Sequence, residues 1–110
     1  MTENKNTPFQ IGEVTIPGRV IFAPMAGVSD LPFRLLCHEQ GASLVCMEMI
    51  SAKAITYNNA RTADLMETSP AEAPVSLQLF GCEPETMTRA CRMIEDRTFD
   101  ILDINMGCPV

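Results

Sequence analysis

Short apolar runs alternate with amphipathic stretches along this chain, and each cycle takes about 25 to 30 residues, the length of a strand–helix–strand unit. The runs are Arg19–Ala23, Ser43–Met49, Pro74–Phe80 and the stretch from Asp100 onward. They are rich in Val, Ile, Leu and Phe, too short for helices, and bounded by Pro and Gly, as strands buried on both faces are. Between them, Ser29 or Asp30 is a helix N-cap and Pro32 fits a first turn, where its missing N–H costs nothing. Phe33, Leu36 and Cys37 share one face of that helix, and Gly41 supplies its stop. Ser51 to about Met66 is predicted helical in one or two pieces, with Pro70–Pro74 read as a loop. Pro84 opens the clearest helix: Met87, Ala90, Cys91 and Ile94 recur at helical spacing, with Glu83 and Glu85 at its positive end and Arg97 near its negative end. Four strands separated by three helices predict a parallel α/β sheet with right-handed crossovers.

The segments ahead of that pattern are simpler. Met1–Pro8 is polar and reads as a flexible leader, and residues 9–110 as one folded unit. Phe9–Val14 and Thr15–Val20 predict a short hairpin about Gly12-Glu13, closing one end of the α/β unit. Hydrophobic residues at 46% and charged residues at 20% fit a globular domain rather than a disordered one. No apolar run approaches the roughly 20 residues of a membrane span, and the start lacks a signal peptide's apolar core, so a cytoplasmic protein without membrane contact is expected. Five cysteines without C-x-x-C spacing predict neither a zinc site nor a disulfide framework, and no metal is expected. A net charge of −6 argues against this segment gripping nucleic acid by itself.

Two architectures accommodate the alternation: an open doubly wound sheet and part of a (β/α)₈ TIM barrel. The strand ends favour the barrel. Pro24-Met25, Glu48, Gln78 and Asn105 finish successive strands, and polar groups gathered on one rim are how barrel active sites are built. No G-x-G-x-x-G follows the first strand, so the dinucleotide fingerprint of the open fold is missing. The last run, D-I-L-D-I-N-M-G-C-P-V, places Leu102, Ile104 and Met106 on one face and Ile101, Asp103 and Asn105 on the other. It breaks at Gly107-Cys108-Pro109, so a cysteine lands just past a strand's C-terminal end. Polar side chains on a buried face require partners or a ligand, and the chemistry is expected there.

The set A-P-M-A-G-V-S-D, S-L-Q-L-F-G and D-I-N-M-G-C-P-V closely resembles the amino-terminal half of the tRNA-dihydrouridine synthases, over nearly all of the chain from Ile11. The resemblance implies a (β/α)₈ FMN-binding barrel, of which about the first four strands and three helices are present, with a helical tRNA-binding domain lying elsewhere. It implies that NADPH reduces bound FMN, that the reduced flavin delivers hydride to C6 of a uridine in tRNA, and that a thiol protonates C5 to give 5,6-dihydrouridine. Position by position it assigns Pro24, Met25 and Ala26 to the loop along the isoalloxazine ring, Gln78 to the flavin, Asn105 to the substrate base and Cys108 to the proton donor. A flat apolar cofactor suits a smooth backbone edge, its polar rim suits an amide that both donates and accepts, and an unperturbed thiol holds its proton near neutral pH. Four strands alone are expected to be inactive, colourless and prone to self-association through unpaired sheet edges.

Other readings stand beside these. An FMN barrel acting on a free pyrimidine, as in dihydroorotate dehydrogenase, also carries an N-x-x-C-P-like turn, and a half-barrel that only binds a partner belongs to a different class. Cys37, Cys46 and Cys91 read as core, and Cys82 as a loop residue and the one rival to Cys108. Glu48 reads as a structural partner and His38 as solvated surface.

Overall fold

The computed structural model describes residues 6–108, so most of the expected leader, Met1 to Lys5, and the final Pro109-Val110 lie outside the described residues. Strands β1 (Phe9–Ile11) and β2 (Val14–Ile16) pair antiparallel about Gly12, whose φ of 56° suits the turn. The parallel sheet contains β3 (Ile21–Phe22), β4 (Leu44–Cys46), β5 (Ile50–Ser51), β6 (Val75–Phe80) and β7 (Ile101–Ile104). Its helices are α1 (Leu31–Glu39), α2 (Ala52–Thr56), α3 (Ala60–Leu65) and α4 (Pro84–Met93). β3 pairs β4, β4 pairs β6 and β6 pairs β7, all parallel, in the order expected from the strand–helix cycle.

The second predicted strand is broken rather than continuous. β4 pairs Val45 with Val75 and Cys46 with Ser76, whereas β5 pairs Ile50 with Leu79 and Ser51 with Phe80 along the same edge of β6. The offset between the two registers changes by one residue, which is a bulge at Met47-Glu48-Met49. β5 then runs directly into α2, with the Ser51 hydroxyl accepting from Ala54 N at 3.2 Å.

Alternation along the strands divides the sheet into two faces. Val45, Met47, Ile50, Val75, Leu77 and Leu79 are buried beneath Ala52 and Ile55 of α2 and Ala90 and Ile94 from α4 and its cap. Leu102 and Ile104 occupy the same face in register with Leu77 and Leu79, yet remain 38% and 36% exposed, since no helix among the described residues covers them. The opposite face carries Leu44 and Cys46, packed against Ile16 of the hairpin with Phe9, Val14 and Ile101 around them. The hairpin therefore plugs the inner face where β4 and β7 begin.

The inward side of α1 differs from its apolar pattern. Phe33 and Leu36 are exposed and only Cys37 reaches the core, while Arg34 is 1% exposed. Arg34 Nε donates to Glu72 Oε1 at 2.8 Å, and Glu72 is itself fully buried. Arg34 Nη1 donates to Ser29 O at 2.7 Å, and Nη2 to Glu67 O at 2.8 Å and to Glu72 Oε2 at 3.4 Å. The segment expected to be a plain loop is thus a one-turn 3-10 helix over Pro70–Glu72, in which Ser69 and Glu72 cap one another and Glu72 supplies the buried counter-ion. His38 also departs from expectation: it is half-buried, and its Nδ1 is sheltered without a hydrogen-bond partner among the described residues.

A buried ion pair stripped of one member leaves an uncompensated charge, which typically costs about 3 to 5 kcal/mol. Arg34→Met in the full-length protein is therefore expected to lose that much in urea unfolding. Adding Glu72→Met should recover part of the loss, because the second charge is then gone as well. A single variant within about 1 kcal/mol of the parent would show that the pair is not what holds these segments.

Candidate functional site

The polar residues of the inner face converge at one end of the sheet. Gln78 and Asp103 are register partners on β6 and β7, and Gln78 Nε2 donates to Asp103 Oδ2 at 2.7 Å. The other end of the same amide, Oε1, accepts from Asn105 Nδ2 at 3.3 Å. Asn105 follows β7 directly, held by its own N–H donating to Leu79 O at 2.8 Å, and its Nδ2 also reaches Met49 Sδ at 3.6 Å. Its Oδ1 accepts from Gly107 N at 2.9 Å, which bends the chain immediately before Cys108. An amide nitrogen carries two protons and an amide oxygen two lone pairs, so Gln78 keeps one free valence at each end.

The loop between β3 and α1 is built as a rigid turn. Val28 N and Ser29 N both donate to Met25 O, and the Ser29 hydroxyl donates to the same oxygen at 2.8 Å while accepting from Met25 N at 3.0 Å. Ser29 is fully buried and its carbonyl is held by Arg34, so the polar atoms of Met25 and Ser29 are taken up within the turn and its anchor. What faces out is apolar: Met25 is 45% exposed and Val28 42%. Gly27, with φ of 74°, donates its N–H to Glu48 Oε2 at 3.1 Å. Glu48 is the structural partner expected from the sequence.

The bulge joins these two halves. Glu48 reaches the loop through Gly27, and the adjacent Met49 reaches Asn105. Gln78, Asn105 and the turn into Cys108 are thus linked by direct hydrogen bonds, and Pro24-Met25-Ala26 is tied to them through the bulge. Met49, Ser29 and Arg34 were not among the sequence candidates for the site. Asp103 was visible as a polar residue in phase with Asn105, but its pairing with Gln78 depends on the strand register.

Residues 21–110 match the sequence model of the dihydrouridine synthase (Dus) family. The chain is 42% identical over 100 residues to tRNA-dihydrouridine synthase B of Xanthomonas campestris pv. campestris, covering 91% of this chain and 30% of that protein. It is 40% identical over 99 residues to tRNA-dihydrouridine synthase B of Pectobacterium carotovorum, covering 90% and 31%. To probable tRNA-dihydrouridine synthase 1 of a Synechocystis species it is 41% identical over 105 residues, covering 94% and 29%. The chain belongs to the dihydrouridine synthase family. It spans about a third of the length of these curated relatives.

Within this member of the dihydrouridine synthase family the cysteines occupy distinct surroundings. Cys108 is half-buried at the end of the hydrogen-bonded turn, and Cys82 is exposed just past β6, in a shallow cleft with Ser51, Lys53, Phe80 and Glu83. Cys37 and Cys91 are partly buried against the helix-side core. Cys46 is buried as expected, but on the inner face, beside polar residues. Its thiol is pushed above the usual range first by burial and then by the Asp103 carboxylate, with a hydrogen bond from Ser76 opposing them. Among the described residues no cluster of three or more His, Cys, Asp or Glu forms a candidate metal site, and no helix is long and apolar enough to cross a membrane.

Thiolate is the species that alkylates, so a raised, buried thiol is doubly protected. Brief iodoacetamide treatment at pH 8, read by peptide mass spectrometry, should modify Cys82 at least about ten times faster than Cys46. Equal rates would mean that the inner face is open to solvent at Cys46.

Proposed function

We propose that this chain is the amino-terminal part of a (β/α)₈ barrel enzyme that reduces uridines in tRNA to 5,6-dihydrouridine, with FMN as cofactor and NADPH as reductant. The observation that carries the reading is the convergence of Gln78, Asn105 and the Cys108 turn at one end of a parallel sheet, in a chain of the dihydrouridine synthase family. The family match and the names of the relatives favour tRNA over a free pyrimidine as the substrate. With a net charge of −6, this segment contributes little to holding the RNA, which falls mostly to other parts of the protein. Its place of work is the cytoplasm.

The residues present suit a flavin. Pro24, Met25 and Ala26 offer an apolar edge whose polar backbone atoms around Met25 are already engaged with Ser29 and Val28, so a flat ring covers little unsatisfied polarity. Gln78 offers one remaining donor and one remaining acceptor to the ring's polar rim, on an amide held from both ends. When bound, the reduced flavin supplies the hydride for C6 of the uracil.

The other half of the chemistry belongs to the protein. Asn105, between Gln78 and the turn, takes the edge of a uracil that has left its stack, offering the remaining lone pair of its Oδ1. Cys108 Sγ gives its proton to C5 as the C5=C6 bond becomes single, and the resulting thiolate is reprotonated from solvent. A positioned general acid of this kind contributes a factor of about 10² to 10⁴.

Replacing Cys108 by Ala in the full-length protein is therefore expected to leave flavin reduction by NADPH nearly intact and to lower dihydrouridine formation by about 10²-fold or more. Cys82→Ala should change neither step. Stopped-flow flavin absorbance and a tRNA product assay on both variants supply the comparison. Full product formation by Cys108→Ala, or loss of both half-reactions together, would remove Cys108 as the acid.

A further inference from the structure

We propose that Asp103 is a positioning residue, whose carboxylate dictates which way the amides of Gln78 and Asn105 face and thereby sets the turn that carries Cys108. The inference rests on the reading of Cys108 as proton donor, but its structural part stands without it. A carboxylate only accepts hydrogen bonds, whereas an amide has a donor end and an acceptor end of nearly the same shape. With Asp103 Oδ2 at 2.7 Å, the facing end of Gln78 must be the NH₂. Its oxygen is then turned to Asn105, which must answer with its own NH₂ at 3.3 Å. That leaves the Asn105 oxygen for Gly107 N at 2.9 Å.

Reversal at the first link fails at every later one. A flipped Gln78 sets its oxygen against the carboxylate and its NH₂ against Asn105. Asn105 must then flip as well, bringing its NH₂ against the N–H of Gly107, donor against donor. The Asn105–Gly107 bond is lost, and with it the bend one residue before Cys108. No hydrogen bond among the described residues joins Asp103 to Cys108, so its influence on the turn passes through the two amides. Strand register is what places it there, since Gln78 and Asp103 are partners in the β6–β7 ladder.

The test compares Asp103→Ala, which removes the acceptor, with Asp103→Asn, which keeps an acceptor oxygen, in the full-length protein. The side-chain amide ¹H–¹⁵N resonances of Gln78 and Asn105 report the relay without any need for activity. In Asp103→Ala both side-chain amides should shift and exchange with solvent about ten times faster or more, while backbone amides of β6 and β7 stay sharp; Asp103→Asn, whose amide can turn either end to Gln78, should restore both only in part. Dihydrouridine formation should follow the same order, falling about ten-fold in the first variant and recovering in part in the second. An unchanged Asn105 amide in Asp103→Ala would overturn the relay, as would uniform broadening of β6 and β7, which marks a purely structural role. If the parent enzyme makes no dihydrouridine, the functional reading falls while the amide resonances still decide the relay.

Discussion

Arg34 is the point at which separate pieces of chain become one structure. Its guanidinium binds the carboxylate of Glu72, the carbonyl of Ser29 and the carbonyl of Glu67, drawing α1, the loop before it and the segment before β6 onto a single buried charge. Such a pair is poor at generating net stability, because both ions surrender their hydration. Its effect is on geometry: each buried charge has its counter-ion on the other segment, so the segments that carry them are held in one arrangement. The turn at Met25–Ser29 inherits its rigidity from this anchor, since the residue that closes it is the one whose carbonyl Arg34 holds.

The far end of the sheet is ordered by a different device. There, uncharged amides in series are given direction by one carboxylate, and the order propagates by alternation of donor and acceptor. A site that needs both a smooth apolar shelf and a few fixed polar atoms has them on two supports, the α1 loop and the strand ends. Each support is fixed by its own buried or part-buried polar network.

The alternation of strands and helices was legible because each element has its own period, and β6, α4 and β7 lie close to their predicted positions. Gln78, Asn105 and Glu48 were legible as polar residues finishing apolar runs. Arg34 was not, because a charged residue on a helix ordinarily faces water, and only a counter-ion 38 residues away makes its burial tolerable. Glu72 was hidden for the same reason inside a run of turn-forming residues. Phe33 and Leu36 follow helical spacing, yet the face they define is not the one that packs. The break in the second strand left no local trace, since M-E-M has nothing of Gly or Pro to mark it.

That break has an arithmetic of its own. Along an unbroken strand, odd and even positions never exchange sides, so Val45 and Met47 facing the helices would oblige Ile50 to face inward. The extra residue changes the parity: Ile50 joins the helix-side core beside Leu79, while Glu48 and Met49 are released to reach the α1 loop and Asn105. A deletion of one residue here would close the segment into a regular strand with Ile50 still opposite Leu79, and the cost would fall on the bulge itself, which frees Glu48 and Met49 for the α1 loop and Asn105. The spacing between Cys46 and Ile50 is thus a piece of information carried by count rather than by chemistry.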